Sequence, residues 1–248
     1  TDFGPGSMTT SGYARIAKRW TRGTDLSDAP VVYEGEVSDV SISVGYDDTP
    51  GFERHFIGRA TDFFNAVEYE LRDGDQILID VPTDSASSVR HDWLFVMPRS
   101  EWTIGENVYA AGTLLVFDYP AFLDGNRDAV VLFTPDAHTS LQGFAVTRSY
   151  LILTTLHDVQ TQISARTLGD WAEVPIDGLP DLATISLIDT DPDVSDEMFW
   201  TASSFTSPSS LLHTPAGSNG PITATVIKQS PAFFDGDDVV AEQFFATS

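Results

Sequence analysis

The chain has 248 residues, with 13 Lys and Arg against 37 Asp and Glu, and its formal net charge is −24 at pH 7. This excess of acid argues against nucleic acid and against an anionic membrane surface as partners, because both bind proteins through a surplus of cations. The sequence has no cysteine, which excludes disulfides, a thiolate nucleophile and a cysteine zinc site. A hydrophobic fraction of 42% is enough to bury a core, and the length predicts one or two domains.

The sequence shows no targeting segment. Residues 1–4 include neither an initiator Met nor a basic or apolar region, so we expect no signal peptide here and infer a removed leader or a fragment. Apolar runs are much shorter than the ~20 residues of a membrane span. These features predict a soluble protein, either cytoplasmic or periplasmic.

Strand signals dominate the chain. Apolar residues alternate with polar ones over residues 40–46 and 77–81, which predicts strands with one buried face. Other runs are apolar nearly throughout and predict strands buried on both faces. These runs are residues 93–97, 114–117, 130–133 and 151–156.

Turn-forming pairs separate the apolar runs and predict hairpin connections. They are Asp73-Gly74, Gly125-Asn126, Asp177-Gly178, Asp191-Pro192 and Asp235-Gly236. The longest helix-compatible stretch, residues 61–69, fits a strand almost as well. Many short strands joined by turns, without a sustained helix, predict an all-β sandwich, barrel or propeller.

An approximate repeat in the sequence favours the propeller over the sandwich and the barrel. A tight loop followed by an apolar hairpin returns near Val40, Val89, Leu141 and Ile185. The interval is roughly 45 to 50 residues, which is the length of one four-stranded propeller blade. We therefore predict an all-β fold, a β-propeller of four-stranded antiparallel blades, with about five blades in this length of chain.

The search for a nucleophile gives one candidate, Ser218 in Gly217-Ser218-Asn219-Gly220. A nucleophile elbow must join a strand to a helix, whereas Ser218 lies between Pro215 and Pro221 and precedes a strand-like stretch. We interpret this segment as a polar turn. Composition alone leaves a triad open, because serine and aspartate are plentiful and there are five histidines. The histidines are His55, His91, His138, His157 and His213.

Two acidic loops invite a calcium interpretation, because carboxylates at alternate positions can converge on one cation. The longer loop contains Asp189, Asp191, Asp193, Asp196 and Glu197. The shorter one contains Asp235, Asp237 and Asp238 around Gly236. The longer loop is stiffened by Pro192 and lacks the glycine and the final glutamate of a calcium loop, so we predict solvated turns at both places and no metal site.

Three other features have structural interpretations that we favour over functional ones. His157 and Asp158 follow an apolar run, yet aspartate at such a position commonly accepts backbone N–H groups in a turn. Residues 4–6 lack the lysine and the helix of a phosphate loop and predict a turn. The tryptophans predict packing between sheets rather than a carbohydrate platform. They are Trp20, Trp93, Trp102, Trp171 and Trp200.

Several short motifs, in a constant order along the chain, resemble the propeller of bacterial prolyl oligopeptidases. They lie in residues 1–15 (TDFGPGSMTTSGYAR), 18–24 (KRWTRGT), 102–115 (WTIGENVYAAGTLL), 156–159 (LHDV), 204–208 (SFTSP) and 243–248 (QFFATS). The last resembles the strand that leaves the propeller and opens the catalytic domain, although the Lys-Asp-Gly turn that follows it in the family is absent. The resemblance covers nearly the whole chain.

The resemblance implies an interior fragment. The family has a seven-bladed propeller inserted before an α/β-hydrolase domain, so residues 1–235 are expected to be blades, the first incomplete. Residues 236–248 are expected to lead towards the absent hydrolase domain. The catalytic Ser, Asp and His of the family lie in that domain, so the resemblance implies no catalytic residue, metal or cofactor in this chain, which is predicted to be inactive alone. The gating residues stay unassigned.

The resemblance also implies a function and partners. In the family the propeller covers the active site of a serine endopeptidase and restricts entry to short peptides, which are cleaved after proline. The implied partners are the chain's own hydrolase domain and short proline-containing peptides. Because early blades are missing, the resemblance implies open strand edges that can pair with another copy of the chain.

Two other hypotheses stay open. A stand-alone interaction propeller would bind peptides or proteins through its loops, but it should end at a polar blade boundary, whereas this chain stops just after Phe244-Phe245. A small carbohydrate-active enzyme would need two carboxylates about 5 to 10 Å apart in a cleft. No motif in the sequence indicates such a pair.

Overall fold

The computed structural model describes residues 3–216, 221–236, 238–242 and 244. Within them the chain forms 22 strands, one α-helix and one short 3₁₀ helix (Leu26–Asp28). The strands are β1 (Ile16–Lys18), β2 (Val31–Glu34), β3 (Ser41–Asp47), β4 (Arg54–Ala60), β5 (Ala66–Arg72), β6 (Asp75–Ile79), β7 (Ala86–Arg90), β8 (Trp93–Met97), β9 (Trp102–Ile104), β10 (Asn107–Tyr109), β11 (Leu114–Asp118), β12 (Val130–Phe133), β13 (Thr139–Val146), β14 (Tyr150–His157), β15 (Gln160–Thr167), β16 (Glu173–Val174), β17 (Ile176–Asp177), β18 (Thr184–Thr190), β19 (Met198–Ser203), β20 (Ser210–Thr214), β21 (Ile222–Thr223) and β22 (Thr225–Gln229). The helix is α1 (Tyr119–Leu123).

The chain divides into two compact units, one ending at Thr134 and one beginning at Pro135. Each unit contains two four-stranded antiparallel sheets. In the first unit the strands pair in the orders β3-β4-β5-β6 and β7-β8-β11-β12, and in the second in the orders β13-β14-β15-β16 and β18-β19-β20-β22. The first strand of each sheet therefore lies at one edge, and the chain then adds neighbours in order.

Three two-stranded sheets accompany the larger ones in the described chain. β1 pairs with β2, and β9 pairs with β10 in a hairpin inserted between β8 and β11. β17 and β21 form the third sheet, in which the strands are parallel. None of these pairs interrupts the order of the four-stranded sheets.

The predicted repeat is confirmed. The first strands of the four large sheets begin at Ser41, Ala86, Thr139 and Thr184, so they recur after 45, 53 and 45 residues. Four-stranded antiparallel sheets that recur at this interval are the blades of a β-propeller. The described residues hold four complete blades and the β1–β2 pair, where the length predicted about five blades. The proposed boundary between residues 235 and 236 stays a prediction.

Burial depends on where a strand lies in its sheet. Three of the four continuously apolar runs form β8, β11 and β14, which are second or third strands and are buried as predicted. The fourth run forms β12 at the outer edge, where Val130 and Val131 stay exposed, so its predicted burial on both faces is wrong. The alternating stretch at residues 40–46 forms β3, another edge strand, and its predicted buried face fails at Val44 and Tyr46, which are 58% and 57% exposed.

The stretch at residues 61–69 is not helical. Asp62 Oδ1 accepts hydrogen bonds from the backbone N–H groups of Phe64 (2.7 Å) and Asn65 (2.9 Å), which shapes the turn between β4 and β5. The α-helix α1, between β11 and β12, was not predicted. It begins at an N-cap, Asp118, whose side chain accepts from the N–H of Ala121 (2.8 Å).

No helix among the described residues has both the length and the apolar character needed to cross a membrane.

Each unit has its own apolar core. In the first unit the core includes Leu94, Phe117 and Phe122, all essentially buried. In the second unit the core surrounds Trp200 and includes Ile152. Burial of this apolar surface supplies most of the stabilisation of the sheets. Because the core residues are inaccessible, the connecting loops and the first strands are the candidate functional surfaces.

Candidate functional site

His157 and Asp158 lie where a strand enters a hairpin turn, as predicted. β14 ends at His157 and β15 begins at Gln160, so Asp158 and Val159 form a two-residue turn. Asp158 has a φ of +52°, which such tight hairpin turns require. Its backbone N–H donates to the carbonyl oxygen of His138 over 2.7 Å. The Asp158 carboxylate, however, binds a histidine ring rather than the backbone N–H groups that the sequence suggested.

That ring belongs to His138, which sequence reasoning did not single out. Its Nδ1 lies 2.9 Å from Asp158 Oδ1, and its ring centroid lies 6.2 Å from that of His157. The hydrogen bond to Asp158, together with the negative charge of that carboxylate, raises the pKa of His138. His138 lies just before β13, on the far side of a hairpin from Asp158, so no local pattern could reveal the contact.

Thr139 adds a hydroxyl to this cluster. Its Oγ1 lies 2.9 Å from His157 Nδ1, and His157 Nε2 lies 3.9 Å from Asp158 Oδ2. A hydroxyl, histidine and carboxylate in this order resemble a hydrolytic triad, but a triad needs the acid within hydrogen-bond reach of the base. A separation of 3.9 Å is too long, and Asp158 is already bonded to His138. We therefore assign the cluster to loop closure and not to catalysis.

The longer acidic run joins β18 to β19, as the turn interpretation predicts. Asp196 Oδ1 accepts from Thr147 Oγ1 and from the N–H of Ser149, both over 2.7 Å, and Glu197 Oε1 lies 2.8 Å from His213 Nε2. Across the described part of the chain, no group of three or more His, Asp and Glu side chains could hold a metal ion. The carboxylates thus fasten this loop to its neighbours.

Other candidates are turns or lie outside the described residues. Gly4 and Gly6 have φ values of +103° and +83°, and the N–H of Ser7 donates to Gly4 O over 3.1 Å, so this segment is the predicted turn. Ser218 and its neighbours at 217–220 lie outside the described residues, as does Asp237. No geometry is assigned to them.

The tryptophans mostly pack, as predicted. Trp200 is fully buried, and its Nε1 donates to Thr214 Oγ1 over 3.1 Å. Trp102 packs on Phe117 with ring centroids 5.7 Å apart. Trp20 is the exception, because it is half exposed and its Nε1 donates to a backbone carbonyl in its own loop.

One end of each large sheet carries exposed apolar loop tips. Strand direction alternates in these sheets, so the start of the first strand, the connection between the second and third strands and the end of the fourth strand lie at one end of the sheet. We call this end the entry end. Apolar side chains project there from the connection between the second and third strands of every sheet. They are Phe63 and Phe64, Val108, Val159, and Phe205, and they are 88%, 71%, 59%, 75% and 91% exposed.

The opposite end of each sheet differs. There the loops join the first strand to the second and the third strand to the fourth. Among the described residues of these loops, Val194 is the one large apolar side chain that is exposed. Among the described loops of the four large sheets, exposed apolar side chains are therefore concentrated at the entry ends.

Comparison with known proteins identifies the family. Residues 82–220 match the family model described as the prolyl oligopeptidase N-terminal beta-propeller domain. The matched residues make up more than half of the chain. The chain belongs to this family. The resemblance inferred from the short motifs is therefore confirmed, and so is the β-propeller fold.

Individual relatives agree with this assignment. The chain is 30% identical over 263 aligned positions to the uncharacterized peptidase y4nA of Sinorhizobium fredii (strain NBRC 101917 / NGR234). It is similar in fold to a post-proline cleaving enzyme from Rickettsia typhi, with a TM-score of 0.82 and 20% identity over 98% of this chain. It is also similar to a structure from a study of two prolyl endopeptidases and their inter-domain dynamics, with a TM-score of 0.64 and 19% identity over 95% of this chain.

The chain spans about a third of the length of these relatives. The match covers 35% of the Sinorhizobium peptidase, 36% of the Rickettsia enzyme and 33% of the prolyl endopeptidase. The relatives therefore contain a large part that has no counterpart in this sequence of 248 residues.

Proposed function

We propose that this chain is the non-catalytic propeller of a serine endopeptidase that hydrolyses short peptides after proline. In this proposal the catalytic Ser, Asp and His belong to an α/β-hydrolase domain of a longer protein. The propeller covers that active site and limits entry by size. Membership of the prolyl oligopeptidase family supports the proposal, and so does the greater length of the relatives.

The observation that carries the proposal is the set of apolar tips at the entry ends of the sheets. Contiguous exposed apolar surface marks interaction sites, and the neighbouring rings of Phe63 and Phe64 are both exposed in one loop. The tips are held in place by hydrogen bonds: Asp62 shapes the turn that presents Phe63 and Phe64, and Ser204 Oγ accepts from two backbone N–H groups in the loop that presents Phe205. We infer that these tips contact the hydrolase domain.

The physical basis of gating is exclusion. A cover seated over an active site admits an extended chain but blocks a folded protein, and separation of cover and catalytic domain would widen the entrance. Weakly packed contacts through a few loop tips suit a cover that must separate, because interfaces between domains of one chain commonly permit relative motion.

The proposal is tested by assaying this chain and the longer protein side by side with a chromogenic Ala-Pro reporter. We expect turnover by the longer protein alone. Turnover by the 248-residue chain that disappears in Ser218→Ala would overturn the proposal and make Ser218 a nucleophile. A longer protein that is inert towards the reporter would instead favour the stand-alone interaction scaffold.

Size restriction needs its own measurement. We expect the longer protein to cleave a short proline-containing peptide and to leave intact a folded protein that displays the same sequence in a surface loop. Equal cleavage of both substrates would reject gating while leaving the peptidase assignment in place.

A further inference from the structure

Each unit contains a cleft beside the first strands of its two large sheets. In the first unit the cleft is about 530 Å³ and is walled mainly by residues 43–47 of β3 and residues 87–90 of β7. In the second unit the corresponding cleft is about 350 Å³ and is walled by residues 142–145 of β13 and residues 187–190 of β18. The same structural position is therefore open in both units.

Glycine keeps space free in both clefts. Gly45 lies on β3 and Gly143 on β13, and a Cβ atom added at either position would meet nothing within 4 Å. Both glycines line their clefts. Each position therefore has room for a Cβ atom, and a larger side chain placed there would take up space in the cleft.

The cleft of the first unit includes an open strand edge. The N–H of Ile42 donates to the carbonyl of Ala14 over 3.3 Å on the side away from β4. Because backbone groups alternate in direction along a strand, Val44 and Tyr46 present their N–H and C=O groups to the same side. No described residue pairs with them there. Such an edge can accept an extended peptide as an added strand.

Bulges shape the cleft of the second unit. The pairing of β13 with β14 skips Gln142, and the pairing of β18 with β19 skips Ile188. Both extra residues line the cleft. Bulges change the direction of side chains and occur beside functional sites in many sheets. Each first strand of this unit therefore has a bulge where it lines the cleft.

Charge indicates what these clefts accept. The first cleft is lined by Asp47, Glu68 and Arg90, whose formal charges sum to −1. The second is lined by Asp189, with no lysine or arginine among its lining residues. Both clefts therefore complement a cation, and they belong to a chain with a net charge of −24 that draws cations towards it.

We propose that these two clefts bind extended peptides that carry a lysine or arginine side chain. At the first cleft the peptide backbone pairs with the open edge of β3 and the cationic side chain lies beside Asp47. At the second cleft the cationic side chain lies beside Asp189. The inference rests on the proposed function and deepens it, because it makes cationic, proline-containing peptides the preferred substrates of the longer peptidase.

The test uses the 248-residue chain and two fluorescein-labelled peptides, Ala-Ala-Lys-Ala-Ala-Pro-Ala-Ala and its counterpart with Glu in place of Lys. Fluorescence anisotropy should show that the Lys peptide binds about tenfold more tightly or better, the change that 1.4 kcal/mol produces. Gly45→Leu and Gly143→Leu should each weaken binding at one cleft, and the double variant should abolish it. Gln76→Leu, on the exposed outer strand β6, is the matched control and should bind normally.

A second pair of variants separates charge from space. Asp47→Asn and Asp189→Asn leave both clefts open, so together they should remove the preference for Lys over Glu while leaving weak binding of both peptides. Circular dichroism shows whether every variant is folded. Equal affinity for the two peptides, or unchanged affinity in the folded leucine double variant, would overturn the inference.

The proposed function and the inference about the clefts can be rejected independently of each other. Cleavage of the Ala-Pro reporter by the longer protein, without any preference for the Lys peptide, would reject the clefts and keep the peptidase. Preferential binding of the Lys peptide by this chain, with a longer protein that cleaves nothing, would keep the clefts and reject the peptidase.

Discussion

The hydroxyl of Tyr119 donates a 2.8 Å hydrogen bond to Glu70 Oε2, and both side chains are buried. The other oxygen of Glu70 accepts from Arg72 Nε, also over 2.8 Å. Glu70 lies on β5, whereas Tyr119 begins α1, which connects β11 to β12. The bond therefore joins the two large sheets of the first unit. Burial and, secondly, this bond raise the pKa of Tyr119.

Removing this hydroxyl should destabilise the chain. Tyr119→Phe leaves a buried carboxylate with one partner fewer, and a hydrogen bond to a charged group contributes about 1.5 to 3 kcal/mol. We expect the free energy of unfolding in urea to fall by that amount. Tyr13→Phe is the control, because Tyr13 is more than half exposed. Equal effects of the two substitutions would show that the buried hydrogen bond adds nothing to the free energy of unfolding.

Burial of Tyr119, together with this bond, predicts a response to alkaline pH. Because the pKa of Tyr119 is raised in the folded state, the folded chain holds a proton that the unfolded chain loses above about pH 10. Stability is therefore full below that pH and falls as pH rises further towards the folded-state pKa. Urea unfolding above pH 10 should show a smaller pH-dependent loss in Tyr119→Phe than in the wild type. Parallel losses would contradict the assignment.

Two tryptophans should differ sharply in their importance. Trp200 is fully buried, and Trp200→Ala should cost about 3 to 5 kcal/mol of unfolding free energy because it leaves a cavity and removes a bond to Thr214. Trp20 is half exposed, and Trp20→Ala should change stability by about 0.5 kcal/mol or less. Thermal or urea unfolding of both variants measures the difference. A similar loss in the two variants would show that Trp20 packs in solution.

The ring of His138 should titrate above its ordinary range. Its pKa is raised by Asp158, so its contribution to stability is present below the unfolded-state pKa of about 6.5 and is lost as pH rises through the folded-state value. An NMR titration should show this, and Asp158→Asn should bring the pKa down. Asp181→Asn lies in the same unit, is exposed and is not one of the carboxylates that raise this pKa, so it should leave His138 unchanged. An unchanged titration in Asp158→Asn would mean that the 2.9 Å contact is not made.

The apolar tips should matter for gating and not for folding. Phe63→Ser with Phe64→Ser should alter the stability of this chain by about 0.5 kcal/mol or less, because both rings are exposed. In the longer protein the same pair should relax the discrimination between a short peptide and a folded protein. Val194→Ser, at the opposite end of its sheet, is the matched control. Unchanged discrimination in the phenylalanine variant would show that these tips do not seat the cover.

Local features of the fold could be predicted without coordinates. Alternating and continuous apolar runs predicted β3, β8, β11, β12 and β14, and the pair Asp73-Gly74 predicted the turn between β5 and β6. The repeat predicted four-stranded blades, and short motifs predicted the family. These features depend on residues close together in the chain, whose conformational preferences and spacing are written directly in the sequence.

Which surfaces are exposed, and which distant residues meet, was decided by the tertiary structure alone. Val44 and Tyr46 alternate like buried residues but lie on an edge strand, because their sheet adds its other strands on one side only. Tyr119 meets Glu70 across 49 positions of the chain. Such contacts depend on how sheets pair and pack, so periodicity cannot report them: it describes a strand, whereas burial and chemistry depend on the strand's neighbours.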